Sequence, residues 1–210
     1  MASGPGPARV AWHRDGARLS AAGPGWAVRA PLPAPGAHVA ANAALALAAV
    51  ARLGCAAERL QRAAAVLGEV ALPGRGEIVS RLPWVLVDGA HTAASARALA
   101  ETVTALQPAR VHLLLSLSQG KDVTGVLDPL LPLASRVTVT CADPDYSLAA
   151  EALARAVHER APDLALATVA ATEAALARAC DDQPGETLVV ATGSVYLAGR
   201  VRVAFTAPGA

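Results

Sequence analysis

The sequence predicts an α/β fold: a three-layer, Rossmann-like domain built on a mostly parallel sheet, preceded by a smaller region of different style. Three observations carry this expectation. From about residue 73 onward, short apolar runs alternate with helix-period segments of ten or more residues, the pattern of parallel strands covered on both faces. Hydrophobic residues make up 54% of the chain and charged ones 17%, enough for a large core and too apolar for extended disorder away from the ends. One apolar run, VLVDGAH at residues 85–91, ends in Asp, Gly and His and passes straight into the helix-period stretch TAASARALAETVTAL. The expected boundaries are residues 1–72 for the first region and 73–210 for the second.

Residues 1–36 are rich in Gly and Pro, and the short pieces ARVAWH and WAVRAP read as hairpin strands or loops, which the prolines confine to edges. APLPAPG serves as a linker. HVAANAALALAAVARLG predicts a helix from His38 that stops at Gly54, a residue suited to ending a helix in the left-handed conformation. AAERLQRAAAVLGEV predicts a second helix whose polar face is marked by Glu58, Arg59 and Arg62. ALPGRGEIVS breaks the pattern. Strands are then expected over residues 77–80, 85–87, 111–116, 137–141, 164–168 and 188–191, and helices over 93–106, 123–133, 147–160, 172–180 and 194–204.

Composition removes several classes of function. Formal net charge is +1 with no basic stripe carrying interleaved aromatics, so nucleic acid is not the expected partner. No apolar run approaches the roughly 20 residues that cross a bilayer, and no membrane partner is expected. MASGPGPARVAWHRDG lacks a charged start followed by an apolar core, so a cytoplasmic protein is expected. Cys55, Cys141 and Cys180 share no metal-type or redox-type spacing; they read as small buried thiols, and no metal site is expected.

The VLVDGAH turn raises the chemical question. In an open parallel sheet, ligands bind beyond the carboxyl ends of the strands, where the next helix points its unpaired N–H groups and positive dipole end. Asp88 sits at such an end, and Gly89 lets the backbone turn without a side-chain clash. A carboxylate there can hold a ribose hydroxyl pair or a metal, or cap the helix, and His91 can donate to a phosphate or carboxylate. The residues alone leave these alternatives open, together with a plain solvated turn.

Four stretches taken together resemble the Mur ligase superfamily, and within it the folylpolyglutamate synthase/dihydrofolate synthase family. VLVDGAH following PGRGEIV resembles the start of that superfamily's C-terminal domain, where the family run reads close to DGAHNP. HVAANAALALAA resembles a helix at the end of the family's central domain, with an Asn before a run of alanines. LSLSQGKDVTGVLDPLLPLASRVTVT resembles its strand, lysine–aspartate loop, helix and next strand. VVATGSVYLAGRVR is close to a TGS-x-YL-x-G-x-x-R signature. The resemblance runs from about Ala37 to Arg202. It identifies residues 1–72 as a remnant of the central domain and residues 73–210 as the C-terminal domain.

The resemblance implies an ATP-dependent ligase that adds glutamate to a folate through an acyl phosphate, so that ATP, folate and glutamate are the partners of the complete enzyme. It implies that Asn42 approaches the adenine, Arg75 the phosphates and Asp88 the ribose, with His91 and Ser194 near the phosphate and incoming amino acid. Arg75 and His91 are thereby the candidate catalytic residues. Lys121 of QGKD is a weaker candidate, and Ser194 after Gly193 reads equally as a helix cap. Two departures stand against the pattern. Thr92 and Ala93 replace the family's Asn-Pro after the histidine, which removes a proline suited to the first helical position.

The second departure is larger. No G-T-N-G-K-[GS] phosphate loop occurs, and Lys121, the sole lysine, lies in no G-x-x-x-x-G-K-[ST] frame. The magnesium ligands of the complete enzyme are likewise expected outside this chain, which alone is expected not to make an acyl phosphate. A truncated gene, a split enzyme with a separate ATPase-domain half, and a degenerate copy all fit. A non-catalytic nucleotide-binding or regulatory module, a fragment of a Mur-type peptidoglycan ligase, and an unrelated doubly wound protein remain as alternatives.

Overall fold

The computed structural model describes residues 2–5, 10–70, 72–181 and 186–206. The chain forms two compact units, Met1–Ala71 and Leu72–Ala210.

The first unit opens with a four-stranded antiparallel meander, β1 (Ala2–Pro5), β2 (Ala11–Asp15), β3 (Arg18–Gly23) and β4 (Trp26–Pro31), paired in chain order. Gly16-Ala17 and Pro24-Gly25 make its last two turns, and both glycines take positive φ, at 54° and 76°, as tight hairpins need. Helices α1 (Ala37–Arg52) and α2 (Ala57–Ala65) follow, the latter running into a 3₁₀ turn at Val66–Gly68. Leu19, Ala21, Val28 and Ala30 of the sheet share a core with Val39, Ala40, Ala43, Ala44 and Leu47 of α1 and Leu60 and Ala64 of α2. Alanine along the inner stripe of α1 keeps the helix close to the sheet. Gly54, at φ 86°, ends the α1 turn as the sequence predicts. The free edge of β4 is blocked by a side chain: Gln61 accepts from Arg29 N at 3.2 Å and donates to Arg29 O at 2.9 Å, imitating a further strand.

The second unit is a six-stranded, mostly parallel sheet flanked by helices. Its strands are β5 (Glu77–Arg81), β6 (Trp84–Val87), β7 (Arg110–Leu115), β8 (Arg136–Val139), β9 (Ala165–Thr168) and β10 (Thr187–Thr192). They lie in the order β5-β6-β10-β7-β8-β9, and only β5 runs antiparallel to its neighbour. The helices are α3 (Ala93–Leu106), α4 (Val123–Leu130), α5 (Ala150–Arg160), α6 (Thr172–Cys180) and α7 (Val195–Thr206). Side chains alternate between the two faces. Leu86, Leu113, Leu115, Val137 and Val190 pack against α3, α4 and α5, while Val85, Val87, Leu114, Val189 and Ala191 pack against α6 and α7. Fully burying each such side chain contributes roughly 1.5–3 kcal/mol, so both faces are strongly specified.

Helices α3 and α6 have the bounds read from periodicity, whereas α5 starts three residues later than expected, at Ala150. Ser147 is tied into the preceding loop, its hydroxyl accepting from Asp143 N at 3.0 Å. The expected buried thiols are a correction: Cys55, Cys141 and Cys180 are each only partly buried and unpaired. Burial, and then the neighbouring Asp181 carboxylate, pushes the Cys180 thiol up to about 11. No helix among the described residues is long and apolar enough to cross a membrane.

The chain passes from β6 across to β7, proceeds outward through β8 and β9, and returns to lay β10 between β6 and β7. Strand order therefore reverses around β6, β10 and β7. The carboxyl ends of these strands are where an open α/β sheet forms its ligand crevice.

Candidate functional site

At the end of β6, Asp88 is 7% exposed, and its carboxylate is engaged by backbone. Gly76 N donates to Oδ2 at 2.7 Å and Ala90 N to Oδ1 at 2.8 Å. Gly89 N in turn donates to Gly74 O at 2.9 Å. The turn after β6 and the loop at residues 74–76 are thus laced together in both directions. Gly74 and Gly76 take φ 64° and 58°, a left-handed conformation that side chains resist, so the loop coils tightly on either side of Arg75.

This lacing presents Arg75. Its backbone is gripped between two buried glycines while its side chain is exposed and lies over Gly89. A Cβ at Gly89 would collide with Arg75 Nη1 and come within 2.8 Å of Val195 Cγ1. Gly89 is therefore required by close approach: the guanidinium and the first turn of α7 occupy the space a side chain would fill.

His91 is half-buried, and its Nδ1 lies 2.8 Å from Gly89 O. With Nδ1 protonated, the ring donates to that carbonyl and keeps Nε2 as its acceptor. The next residue starts α3 with a reciprocal cap: Thr92 Oγ1 accepts from Ser95 N at 3.2 Å, and Ser95 Oγ accepts from Thr92 N at 3.0 Å. Ser95 Oγ also accepts from His91 N at 3.2 Å. Threonine thus supplies the cap at this turn, and Ser95, which sequence reasoning passed over, completes it.

The turn after β10 uses its polar group differently. Ser194 is 1% exposed, and its hydroxyl accepts from Tyr196 N at 3.0 Å and Leu197 N at 3.5 Å, capping α7. Gly193 precedes it at φ 98° with Ser116 O where a Cβ would stand. Tyr196 stacks on Tyr146 with ring centroids 5.4 Å apart. Lys121 is exposed, and the adjoining Asp122 caps α4 by accepting from Gly125 N at 2.9 Å.

Arg75, Asp88 and His91 are accordingly assembled around Gly89, and Ser194 lies one residue from Val195, which borders the same glycine. Asn42 belongs to the other unit, on the exposed side of α1. Sequence reasoning missed Glu77 as a partner of this loop. Its carboxylate accepts from Gly74 N at 2.8 Å and meets Arg202, the arginine that closes the TGS-x-YL-x-G-x-x-R run. The signal available was proximity to PGRG, hidden because Glu77 reads equally well as the first residue of a strand.

An open α/β sheet with a switch point, a glycine-mounted arginine and an Asp-Gly turn into a helix defines a ligand-binding domain of the doubly wound class. The particular family is shown by comparison: residues 74–195 match the Mur ligase, glutamate ligase domain, and the chain belongs to that family. It is 38% identical over 192 residues to a dihydrofolate synthase/folylpolyglutamate synthase of Mycobacterium tuberculosis, covering 83% of this chain and 39% of that protein. It is 32% identical over 192 residues to a probable bifunctional folylpolyglutamate synthase/dihydropteroate synthase of Halobacterium salinarum, covering 90% of this chain and 23% of that one. Among solved structures, Mycobacterium tuberculosis folylpolyglutamate synthase complexed with ADP and AMPPCP superposes with a TM-score of 0.81 at 31% identity, covering 96% of this chain and 49% of that chain. The chain thus spans less than half the length of the relatives it matches.

Proposed function

We propose that this chain is the C-terminal portion of an ATP-dependent carboxylate–amine ligase of the folylpolyglutamate/dihydrofolate synthase type, which adds glutamate to a folate. Its own contribution is a nucleotide half-site and part of the amino-acid site. The observation that supports this most is the seat of Arg75: an exposed guanidinium on a loop held by two buried glycines, packed over Gly89 just ahead of the N-terminus of α3. That arrangement suits a phosphate group, because a guanidinium offers several donors without changing protonation and a helix N-terminus favours negative charge.

In the complete enzyme ATP, with magnesium held by residues outside this chain, supplies the activation of a carboxyl group as an acyl phosphate. Arg75 positions and neutralises phosphate oxygens. Asp88 orients the Arg75 loop through Gly76 N, and its place at the end of β6 assigns it to the ribose side of the nucleotide. Asn42 is assigned to the adenine by the resemblance of its helix alone. His91, with Nδ1 tied to Gly89 O, directs Nε2 to the phosphate and incoming glutamate, near the Ser194 turn. Catalysis of this kind rests on positioning and charge more than on covalent steps by the protein. An ATPase domain carrying the phosphate loop would complete the site.

Calorimetric titration of the purified chain with ADP tests the reading, with Arg75→Ala and Asp88→Ala in parallel. Measurable ADP binding that both substitutions weaken is expected. A folded chain whose ADP binding ignores both would overturn it. Adding the phosphate-loop half of a relative to the wild-type chain is then expected to restore glutamate ligation.

A further inference from the structure

Among the described residues the Arg75 guanidinium is bonded to Gly74 O alone, at 3.5 Å, and the contacts that fix its loop come from Glu77 and Arg202. Glu77 begins β5, and Arg202 sits on α7, 125 residues away in sequence. Arg202 Nε contacts both carboxylate oxygens of Glu77, at 3.0 and 3.1 Å. Glu77 Oε2 also accepts from Gly74 N at 2.8 Å, the residue that opens the Arg75 loop. The pair is partly shielded, with side chains 34% and 23% exposed, so it is screened less than a surface pair.

The loop therefore has two anchors. Asp88 grips its far side through Gly76 N, and Glu77 grips its near side through Gly74 N. Each anchor is a carboxylate accepting a backbone N–H, a charge-assisted bond stronger than a neutral one. The Asp88 anchor is built into the turn after β6. The Glu77 carboxylate is instead oriented by Arg202, so α7 reaches back to the loop that precedes β5.

Resting on the nucleotide reading above, we propose that Glu77 and Arg202 are the positioning pair for Arg75: Arg202 orients the Glu77 carboxylate onto Gly74 N, and this sets where the Arg75 guanidinium meets a phosphate. Neither residue touches the ligand. Their loss relaxes the loop entrance and leaves the remainder of the nucleotide contacts in place.

The test compares ADP with adenosine on the full chain, because only ADP carries the groups Arg75 is placed to meet. The wild-type chain is expected to prefer ADP by about tenfold or more, the scale of a well-placed hydrogen bond to a charged group. Arg75→Ala is expected to abolish that preference. Glu77→Gln and Arg202→Met are expected to bring it to within about threefold while adenosine affinity holds, a split that general loss of structure would not produce. The charge-swapped double variant, Glu77→Arg with Arg202→Glu, restores the ion pair without the β5 carboxylate and is expected to leave the preference low.

A preference lost in Arg75→Ala yet intact in Glu77→Gln and Arg202→Met overturns the positioning role and leaves the phosphate reading standing, as does rescue by the charge swap. A wild-type chain with no ADP preference overturns the phosphate reading itself. Amide exchange reads the positioning without any nucleotide: Gly74 N–H is expected to exchange faster in Glu77→Gln while Val189 and Val190 on the central strand do not change. Unaltered Gly74 exchange overturns the proposal.

Discussion

Two neighbouring strand-to-helix turns, after β6 and after β10, look alike in sequence and do opposite things. Each has a glycine beside a small polar or acidic residue, Asp88-Gly89 in one and Gly193-Ser194 in the other. After β10 the helix begins at once, and Ser194 spends its hydroxyl on the N–H groups of that same helix. After β6 five residues intervene, Thr92 and Ser95 take over the capping, and Asp88 accepts from Ala90 N in its own turn with one oxygen and from Gly76 N of a different segment with the other. Moving the cap downstream releases a carboxylate to organise the Arg75 loop. The glycines differ in the same sense: Gly193 is required by its own backbone and Ser116 O, Gly89 by the side chains it lets in.

The largest expected effect follows from this contrast. Gly193→Ala places a Cβ against the Ser116 carbonyl at φ 98°, and neither backbone can yield cheaply. A loss of about 3 kcal/mol in denaturant unfolding is expected, from left-handed strain plus the clash. Asp88→Ala strands the N–H groups of Gly76 and Ala90 and is expected to cost about 2 kcal/mol, with faster amide exchange at Gly76 as its local signature. Ser194→Ala removes only a cap, and a loss of about 1 kcal/mol is expected by the same unfolding measurement.

Gly89→Ala is expected to cost about 1 kcal/mol, less than Gly193→Ala, because the atoms that must shift are side-chain atoms of Arg75 and Val195 and not backbone. Its effect belongs to binding. Displacing the guanidinium is expected to weaken ADP about tenfold by calorimetry. If Gly89→Ala proved as destabilising as Gly193→Ala, the distinction between the two turns would fail.

Much of the second unit was legible in sequence because its signals are periodic. Buried strands such as VLV and HLLL stand between helices of regular spacing, and α3 could be bounded from Ala93 to Leu106 on pattern alone. The four-stranded meander of the first unit was only half visible. RLSAAG, which forms β3, carries one strong apolar residue and two alanines, weak strand formers. At the site, Asp88, Gly89 and His91 stood out as residue types at a strand end, and Arg75 through the family resemblance of PGRG. Their partners did not, because Gly76 N–H, Gly74 N–H and the Glu77–Arg202 contact are tertiary, and backbone donors leave no trace in side-chain identity. The capping role of Ser95 was local and readable, as a hydroxyl residue three positions after Thr92.

The central claim is that the loop at residues 74–76 and the turn at residues 88–92 together form one anion-binding half-site for a nucleotide. Amide chemical-shift mapping of the labelled chain during ADP titration tests it most directly. The account predicts that the largest shifts fall on Gly74, Arg75, Gly76, Gly89 and His91, and that adenosine perturbs these amides far less. Shifts concentrated on the Ser194 turn or on the first unit, with residues 74–76 and 88–92 unmoved, would contradict it.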